Sequence, residues 1–227
     1  MRADEAAISI ADLSFAYRKG EPVLHIEALT VERGEKVFLF GPSGSGKTTL
    51  LGLIAGVLEP TEGTIEVLDT DLAGLARTKR DRWRGDHLGI IFQLFNLLPY
   101  LDTHDNIVLP CRLSTVRRQR LTRPLDDEVS HLADRLEITP WLRTPVTELS
   151  VGQQQRVAAA RAMIGGPRLV IADEPTSALD SDRRARFLEL LFALCDDVDA
   201  TLLFVSHDKT LAAHFDRAID LGAINTV

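Results

Sequence analysis

Apolar and polar residues alternate in short runs along the first part of the chain, which is the pattern of half-buried strands. We predict strands over Ile8–Tyr17, Val23–Val31, Lys36–Phe40, Gly63–Leu68 and Leu88–Phe92. The earliest of these runs are joined by short polar turns. We therefore expect them to form an N-terminal antiparallel β layer.

The strand pattern disappears from His104 to about Gly165, where helical spacing predicts helices over Leu125–Leu136 and Val151–Ile164. The prolines of this region are expected to lie in the connections between its elements; they are Pro99, Pro110, Pro124, Pro140 and Pro145. Strand character then returns at Arg168–Ala172 and Thr201–Val205, on either side of a helix from about Ser181 to Cys195. Such alternation predicts a parallel sheet, and Ala218–Val227 leaves room for one last strand.

Together these patterns predict an α/β fold in one domain over residues 1–227. We expect a mainly parallel α/β core from residues 1–93 and 166–227, which surrounds a helical insert of residues 94–165. The 45% hydrophobic content is enough for a buried core.

One loop within the predicted core matches a phosphate-binding sequence pattern. Residues 41–49 fit the pattern G-x-x-x-x-G-K-[ST] between a strand and a helix that begins at Lys47. Backbone N–H groups of such a loop surround phosphate oxygens, and the helix N-terminus faces the same anion. We expect nucleoside triphosphate contacts from Gly41, Ser43, Gly44, Ser45, Gly46, Lys47, Thr48 and Thr49. The simpler interpretation is a glycine turn before a core helix.

Within this loop, Lys47 is expected to reach the β and γ phosphates, and the Thr48 hydroxyl to bind Mg²⁺. A second element supports that chemistry, because the apolar strand before Asp173 and Glu174 ends in two adjacent acids. Asp173 is predicted to hold the Mg²⁺ ion, and Glu174 to orient or deprotonate the attacking water. Alone, the two acids could simply open a loop before Pro175.

Charge, cysteine content and the length of apolar stretches limit which partners and which cellular compartment we expect. The net charge of −7 argues against general affinity for nucleic acid, and the basic run from Arg77 to Arg84 is interpreted as a solvated helical face. Cys111 and Cys195 are expected to be reduced thiols in a cytosolic protein. The longest apolar stretch, Leu50–Leu58, is too short to cross a bilayer, so a membrane role must come through a partner.

The segment Leu149–Arg156, with sequence LSVGQQQR, lies in the sequence between the phosphate loop and the acids Asp173 and Glu174. Together with the DEP motif at Asp173 and the SALD motif at Ser177, it closely resembles the ATP-binding cassette (ABC) ATPases. The resemblance implies that Ser150, Gly152 and Gln153 contact ATP held by a second copy. By itself the segment predicts a capping box, in which Ser150 begins a helix and Gln153 closes it.

The resemblance implies roles for four further residues. Gln93 matches the Q-loop glutamine that senses Mg²⁺ and water, and His207 matches the switch histidine at the γ-phosphate. Tyr17 resembles the aromatic residue that stacks on adenine, although Phe15 shares its strand parity and either could be core. Asp180 resembles the D-loop acid that couples the two sites of a dimer.

Val151 departs from the family pattern, which usually has glycine at that position. A β-branched residue disfavours a positive φ angle, so the geometry of the contact with the second copy is expected to change.

As a whole, the resemblance implies an ATPase that uses ATP and Mg²⁺, dimerises on ATP and drives integral membrane permease subunits. Those subunits are expected to dock at Gln93–Tyr100, which places the chain on the cytoplasmic face of the inner membrane. In detail the motifs look most like the branch that serves lipoprotein release and macrolide export.

Two other classes of function stay open from the sequence. The first is a non-transport ABC ATPase that acts as an assembly or regulatory factor with a soluble or cell-envelope partner. The second is a P-loop kinase, although a kinase gives no reason for the LSVGQQQR segment or for His207.

Overall fold

The computed structural model describes residues 6–177 and 180–227. These divide into two compact units. Unit 1 contains the residues up to Arg84 together with Thr201–Val227, and unit 2 contains Gly85–Ala200.

The strands and helices follow the pattern of an α/β protein. The strands are β1 Ala6–Arg18, β2 Glu21–Glu32, β3 Lys36–Phe40, β4 Glu62–Val67, β5 Thr70–Asp71, β6 Leu88–Ile91, β7 Leu169–Asp173, β8 Thr201–Val205 and β9 Arg217–Asp220. The helices are α1 Lys47–Ile54, α2 Arg77–His87, α3 Thr103–Leu113, α4 Thr115–Gln119, α5 Leu125–Arg135, α6 Val151–Met163, α7 Ser181–Asp197 and α8 Leu221–Ile224.

Unit 1 contains an antiparallel sheet in the order β2-β1-β4-β5. In the middle of this sheet Ile10 of β1 pairs with Leu29 on one side and with Ile65 on the other. All three side chains are buried, as the alternation of apolar and polar residues predicts. The predicted N-terminal antiparallel layer is therefore confirmed.

Unit 1 also contains three parallel strands, with β3 between β8 and β9. The centre of β3 is buried on both faces, and the Phe38 ring stacks on Phe204 of β8 at 6.3 Å between ring centroids. Because parallel strands end at the same edge, the residues that follow β3 and β8 lie close together. This edge is where the predicted phosphate loop begins.

Unit 2 contains the parallel pair β6 and β7 and the helices from α3 to α7. Helix α6 packs against β6 and α3, so most of its middle residues are buried. The predicted helical character of this region and the parallel pairing of its strands are both confirmed. The domain division at residues 93/94 and 165/166 stays a prediction.

Pro110 is the clearest departure from the predicted element bounds. Instead of a join, it lies inside α3, which continues to Leu113. Proline lacks the N–H that would bond to the carbonyl of Asn106, but Pro110 is close enough to the helix end that one missing bond does not stop the helix. The Pro110 carbonyl still accepts a bond from Ser114 N at 2.9 Å.

Two arginine side chains, Arg117 and Arg120, make hydrogen bonds within unit 2. Arg117 is 1% exposed, and its Nη2 donates to the carbonyls of Leu88 at 3.1 Å and Ala162 at 3.0 Å. Burial lowers the pKa of Arg117 to about 10, which leaves it charged at neutral pH. Arg120 Nη2 lies 3.3 Å from Nδ1 of His87, and burial, followed by the charges of Arg120 and Arg168, lowers the pKa of His87 to about 4.

The lowered pKa of His87 predicts a loss of stability in acid. Between about pH 6.5 and 4 the unfolded chain binds a proton at His87, whereas the folded chain does not. The free energy of unfolding therefore decreases as the pH falls through that window. Allowing for screening at a half-exposed ring, we expect ~1–2 kcal/mol from this group. Urea unfolding at pH 7 and pH 5 should show a steeper decline for the natural chain than for His87→Gln. Equal declines would contradict the assignment.

Candidate functional site

The loop between β3 and α1 depends on two glycines with left-handed backbone. Gly44 has φ +83° and Gly46 has φ +94°, a region that side chains with a Cβ rarely adopt. A Cβ on Gly46 would also lie 2.5 Å from Cδ2 of Leu24. Strand β2 therefore packs directly against the point where the loop enters the helix, and only glycine fits there.

The same loop offers several donors with no competing cap. Lys47 Nζ lies 2.8 Å from the Gly41 carbonyl and 2.9 Å from the Pro42 carbonyl, so the ammonium group is held over the loop. No side chain of the described residues caps the N-terminus of α1. The buried hydroxyl of Ser45 has no hydrogen-bond partner within the same part of the chain. An anion with several oxygens, such as a triphosphate, fits this set of donors.

Tyr17 lies beside the start of α1. Its hydroxyl is 3.2 Å from Thr49 Oγ1, and the side chain is 63% exposed. Phe15 is instead buried and meets Tyr17 edge to face at 4.9 Å. The two rings are in contact, but Phe15 is buried whereas Tyr17 is exposed near the end of β1. Tyr17 is thus an exposed aromatic residue beside the loop.

His207 lies at the same strand edge as the phosphate loop. Ser206 N donates to the Leu39 carbonyl at 3.2 Å, which aligns the end of β8 with the end of β3. His207 follows directly and is exposed. Asp208 then caps the 3-10 turn Lys209–His214 by accepting from Thr210 N at 3.0 Å. Unit 1 therefore brings Tyr17, the loop and His207 to neighbouring positions.

A second group of predicted residues lies at a strand edge in unit 2. Ile91 of β6 pairs with Ala172 of β7. Gln93 therefore follows the carboxyl end of β6, next to Asp173, which is the last residue of β7, and Glu174, which follows it. Glu174 has φ +47°, which is uncommon for a residue with a Cβ. Such backbone strain concentrates at functional positions.

The LSVGQQQR segment forms the predicted capping box at the start of α6. Ser150 Oγ accepts from Gln153 N at 3.4 Å, and Gln153 Oε1 accepts from Ser150 N at 2.8 Å. Val151 is the first residue of α6 and has no positive φ angle. The β-branched side chain therefore causes no backbone strain where the family pattern has glycine, and it is 49% exposed. Gly152 occupies the second helical position.

Asp180 also begins a helix. Its side chain accepts from Arg183 N at 3.0 Å and caps α7. Two neighbouring residues of the predicted motif, Ala178 and Leu179, lie outside the described residues.

The segment Gln93–Tyr100 combines exposed and buried apolar residues. Leu94 is 83% exposed and Tyr100 is 78% exposed, whereas Phe95 is buried. The predicted partner surface is therefore divided, because some of its apolar residues are core and others face solvent.

Arg161 fixes the backbone of this segment, and the sequence interpretation missed it. Its Nη1 donates to the Asn96 carbonyl at 2.7 Å and its Nη2 to the Phe95 carbonyl at 2.5 Å. Phe95 and Asn96 both have positive φ angles, so the guanidinium stabilises a strained turn. Burial lowers the pKa of Arg161. The available signal was a single arginine in the otherwise apolar run VAAARAM of α6.

Comparisons with known proteins agree with this geometry. The sequence pattern of the ABC transporter family matches residues 24–177. The lipoprotein-releasing system ATP-binding protein LolD of Hydrogenovibrio crunogenus is 37% identical over 217 residues, which cover 94% of this chain and 93% of LolD. The macrolide export ATP-binding/permease protein MacB of Rhodopirellula baltica is 36% identical over 215 residues, which cover 93% of this chain and 31% of MacB.

A solved structure is similar over the same length. The dimeric post-hydrolysis state of the ATP-binding cassette MJ0796, bound to ADP and Pi, has a TM-score of 0.82 and 30% sequence identity. The match covers 95% of each chain.

We expect Arg161→Ala to loosen the Gln93–Tyr100 segment. The substitution removes two hydrogen bonds from a charged donor, each worth about 1.5–3 kcal/mol, so amide hydrogen exchange there should accelerate at least about tenfold. Exchange in β7 should stay slow. Arg118→Ala, at an exposed position of α4, is the matched control and should leave the segment unchanged. Unchanged exchange in the Arg161 variant would show that the segment is held by other contacts.

Proposed function

Because the chain belongs to the ABC transporter family, we propose that it is the ATPase subunit of a complex whose integral membrane subunits carry the substrate. It is an ATP-binding and ATP-hydrolysing subunit, and among curated proteins it is similar to LolD and MacB. The observation that most directly supports the site is the loop Gly41–Lys47, with its uncapped helix start and the ammonium group of Lys47 held above it.

Unit 1 supplies the binding of ATP in this proposal. Backbone N–H groups of the loop and the Lys47 ammonium neutralise the β and γ phosphates. The exposed ring of Tyr17 stacks on adenine, since a flat aromatic face suits a flat base. His207 contacts the γ-phosphate from the neighbouring strand end, where it stabilises the charge that spreads over the equatorial oxygens.

Unit 2 supplies the hydrolytic groups. Glu174 orients the attacking water and accepts its proton, and the left-handed backbone at Glu174 supports a specialised role for this position. We assign the Mg²⁺ ligands to Thr48, Gln93 and Asp173. These three side chains offer hydroxyl, amide and carboxylate oxygens, which is the donor chemistry that Mg²⁺ prefers. When bound there, Mg²⁺ would supply positive charge that offsets the negative charge of the phosphates.

We further propose that two copies of the chain share two ATP molecules. Ser150, Gly152 and Gln153 of one copy reach the γ-phosphate held by the loop of the other, and Asp180 couples the two sites. The dimeric MJ0796 cassette with ADP and Pi supports this arrangement for a similar chain. The position of Ser150 at the N-terminus of α6 supports it too, because the positive end of the helix dipole attracts anions.

The dimer proposal predicts a specific effect of Glu174→Gln. The variant should keep ATP affinity, lose about 10²- to 10⁴-fold in turnover because the general base is gone, and accumulate as a dimer. Light scattering with ATP and Mg²⁺ should then give twice the 25.1 kDa mass of one chain. A variant that stays monomeric at saturating ATP would contradict the scheme.

The matched control is Lys47→Ala, which removes the ammonium group from the loop. ATP affinity by calorimetry should fall about ten- to hundredfold in this variant, as expected for lost hydrogen bonds to a charged group. It should not dimerise on ATP. Unchanged ATP affinity would contradict the assignment of the phosphate loop.

The proposed membrane partner is an integral permease that docks on the Gln93–Tyr100 segment. None of the helices in the described part of the chain is long and apolar enough to cross a bilayer. The exposed side chains of Leu94 and Tyr100 offer apolar contacts beside Gln93, which suits a short amphipathic helix of a partner. We therefore place the chain at the cytoplasmic face of the inner membrane.

Purification of the tagged chain from detergent-solubilised membranes tests this partner. We expect an integral membrane protein to copurify, in an amount that changes with ATP, and its recovery to fall severalfold in Leu94→Ser/Tyr100→Ser. Leu113→Ser, at an equally exposed apolar position of α3, is the control. Recovery of soluble partners alone would contradict the proposal and favour an assembly or regulatory ATPase.

A further inference from the structure

The chain after β9 returns to strand β2 beside the phosphate loop. Asp220 caps α8 by accepting from Gly222 N at 3.0 Å, and Asn225 then forms an isolated antiparallel bridge with Ile26. Thr226 N donates to the His25 carbonyl at 3.0 Å. These contacts fix the position of the Asn225 backbone.

The Asn225 side chain joins three backbone groups. Its Oδ1 accepts from His25 N at 2.8 Å, and its Nδ2 donates to the carbonyls of Val23 at 3.0 Å and Ser45 at 3.3 Å. Both amide donors and the carbonyl acceptor are thus used. Two of the partners are in β2 and the third is inside the phosphate loop.

The bond to the Ser45 carbonyl determines how the next peptide N–H is oriented. A trans peptide is planar, so the Ser45 carbonyl and the Gly46 N–H point in opposite directions. When Asn225 binds the carbonyl, the Gly46 N–H must point away from Asn225. The peptide joins Ser45 to Gly46, and Gly44 lies just before it. The conformational freedom of these two glycines would otherwise let the peptide rotate.

We propose that Asn225 is a positioning residue for nucleotide binding, which holds the Ser45–Gly46 peptide so that the Gly46 N–H is ready to donate to a phosphate oxygen. The inference rests on the proposed role of residues 41–47 as the phosphate loop. Donors fixed in advance cost no ordering entropy when the ligand arrives, so losing the Ser45 bond weakens ATP binding. Packing of Leu24 against Gly46 constrains the same turn from β2.

Two substitutions separate this role from general stability. Asn225→Asp keeps the size and an oxygen for His25 N, but it loses both donors and sets a carboxylate against two carbonyls. Asn225→Ser is milder and tests the same site if the aspartate variant folds poorly. Thr226→Ala is the neighbouring control, because its hydroxyl donates to the His25 carbonyl, at 3.4 Å, and not to the loop. Thr201→Ala removes a hydrogen bond from Gly34 N at the amino end of β8, far along unit 1 from the loop.

ATP affinity by calorimetry and steady-state ATPase kinetics measure the effect. For one hydrogen bond of about 0.5–1.5 kcal/mol we expect Kd and KM for ATP to rise about two- to tenfold in the Asn225 variants, with kcat within about twofold. Thr226→Ala and Thr201→Ala should keep the natural Kd and KM. Thermal melting without nucleotide shows how much stability each substitution removes.

Three results would overturn the inference. One is a natural Kd and KM in both Asn225 variants, with only the melting temperature reduced, which would make Asn225 purely structural. Another is an equal rise of Kd in Thr201→Ala at an equal loss of melting temperature. The third is that Lys47→Ala binds ATP as well as the natural chain does, in which case the phosphate loop itself is wrongly assigned and the role of Asn225 fails with it.

Discussion

The turn from β3 into α1 is the constraint on which the rest of the site depends. A triphosphate brings several negative charges into the protein, and they are held by backbone N–H groups only if the chain turns tightly enough to direct those groups inward. Gly46 at φ +94° allows that turn, and Leu24 of β2 leaves no room for a Cβ there. The antiparallel sheet is therefore part of the nucleotide site, since one of its strands supports the loop.

In both units, candidate catalytic and metal-binding side chains lie at the carboxyl ends of parallel strands. His207 follows β8 next to β3. Gln93 follows β6, Asp173 is the last residue of β7, and Glu174 follows Asp173. Buried apolar strands fix these ends, so polar side chains just beyond them are held without being part of the core. In the proposed dimer ATP favours the closed pair over the open one, and hydrolysis removes that preference, which lets a bound membrane partner be driven between two states.

The sequence predicted the features that depend on neighbouring residues. The phosphate-loop pattern, the alternation in β1 and the capping box of Ser150 and Gln153 are all local, and the fold class followed from the order of strands and helices. What it missed depends on distant contacts. Asn225 reaches Ser45 across 180 positions, and Arg161 reaches Phe95 across 66. Tyr17 and Phe15 share strand parity and their rings are in contact, but Tyr17 is exposed and Phe15 is buried, which parity alone does not reveal.

In the proposed dimer, the serine at the start of α6 in one copy completes the ATP site of another copy. Short-range thiol cross-linking between Ser43→Cys in one preparation and Ser150→Cys in a second tests it, since the native cysteines at positions 111 and 195 are buried. We expect a cross-linked dimer only when the two variants are mixed with Mg²⁺ and a slowly hydrolysed ATP analogue. Equal cross-linking without nucleotide, or none in a mixture that still hydrolyses ATP, would contradict it.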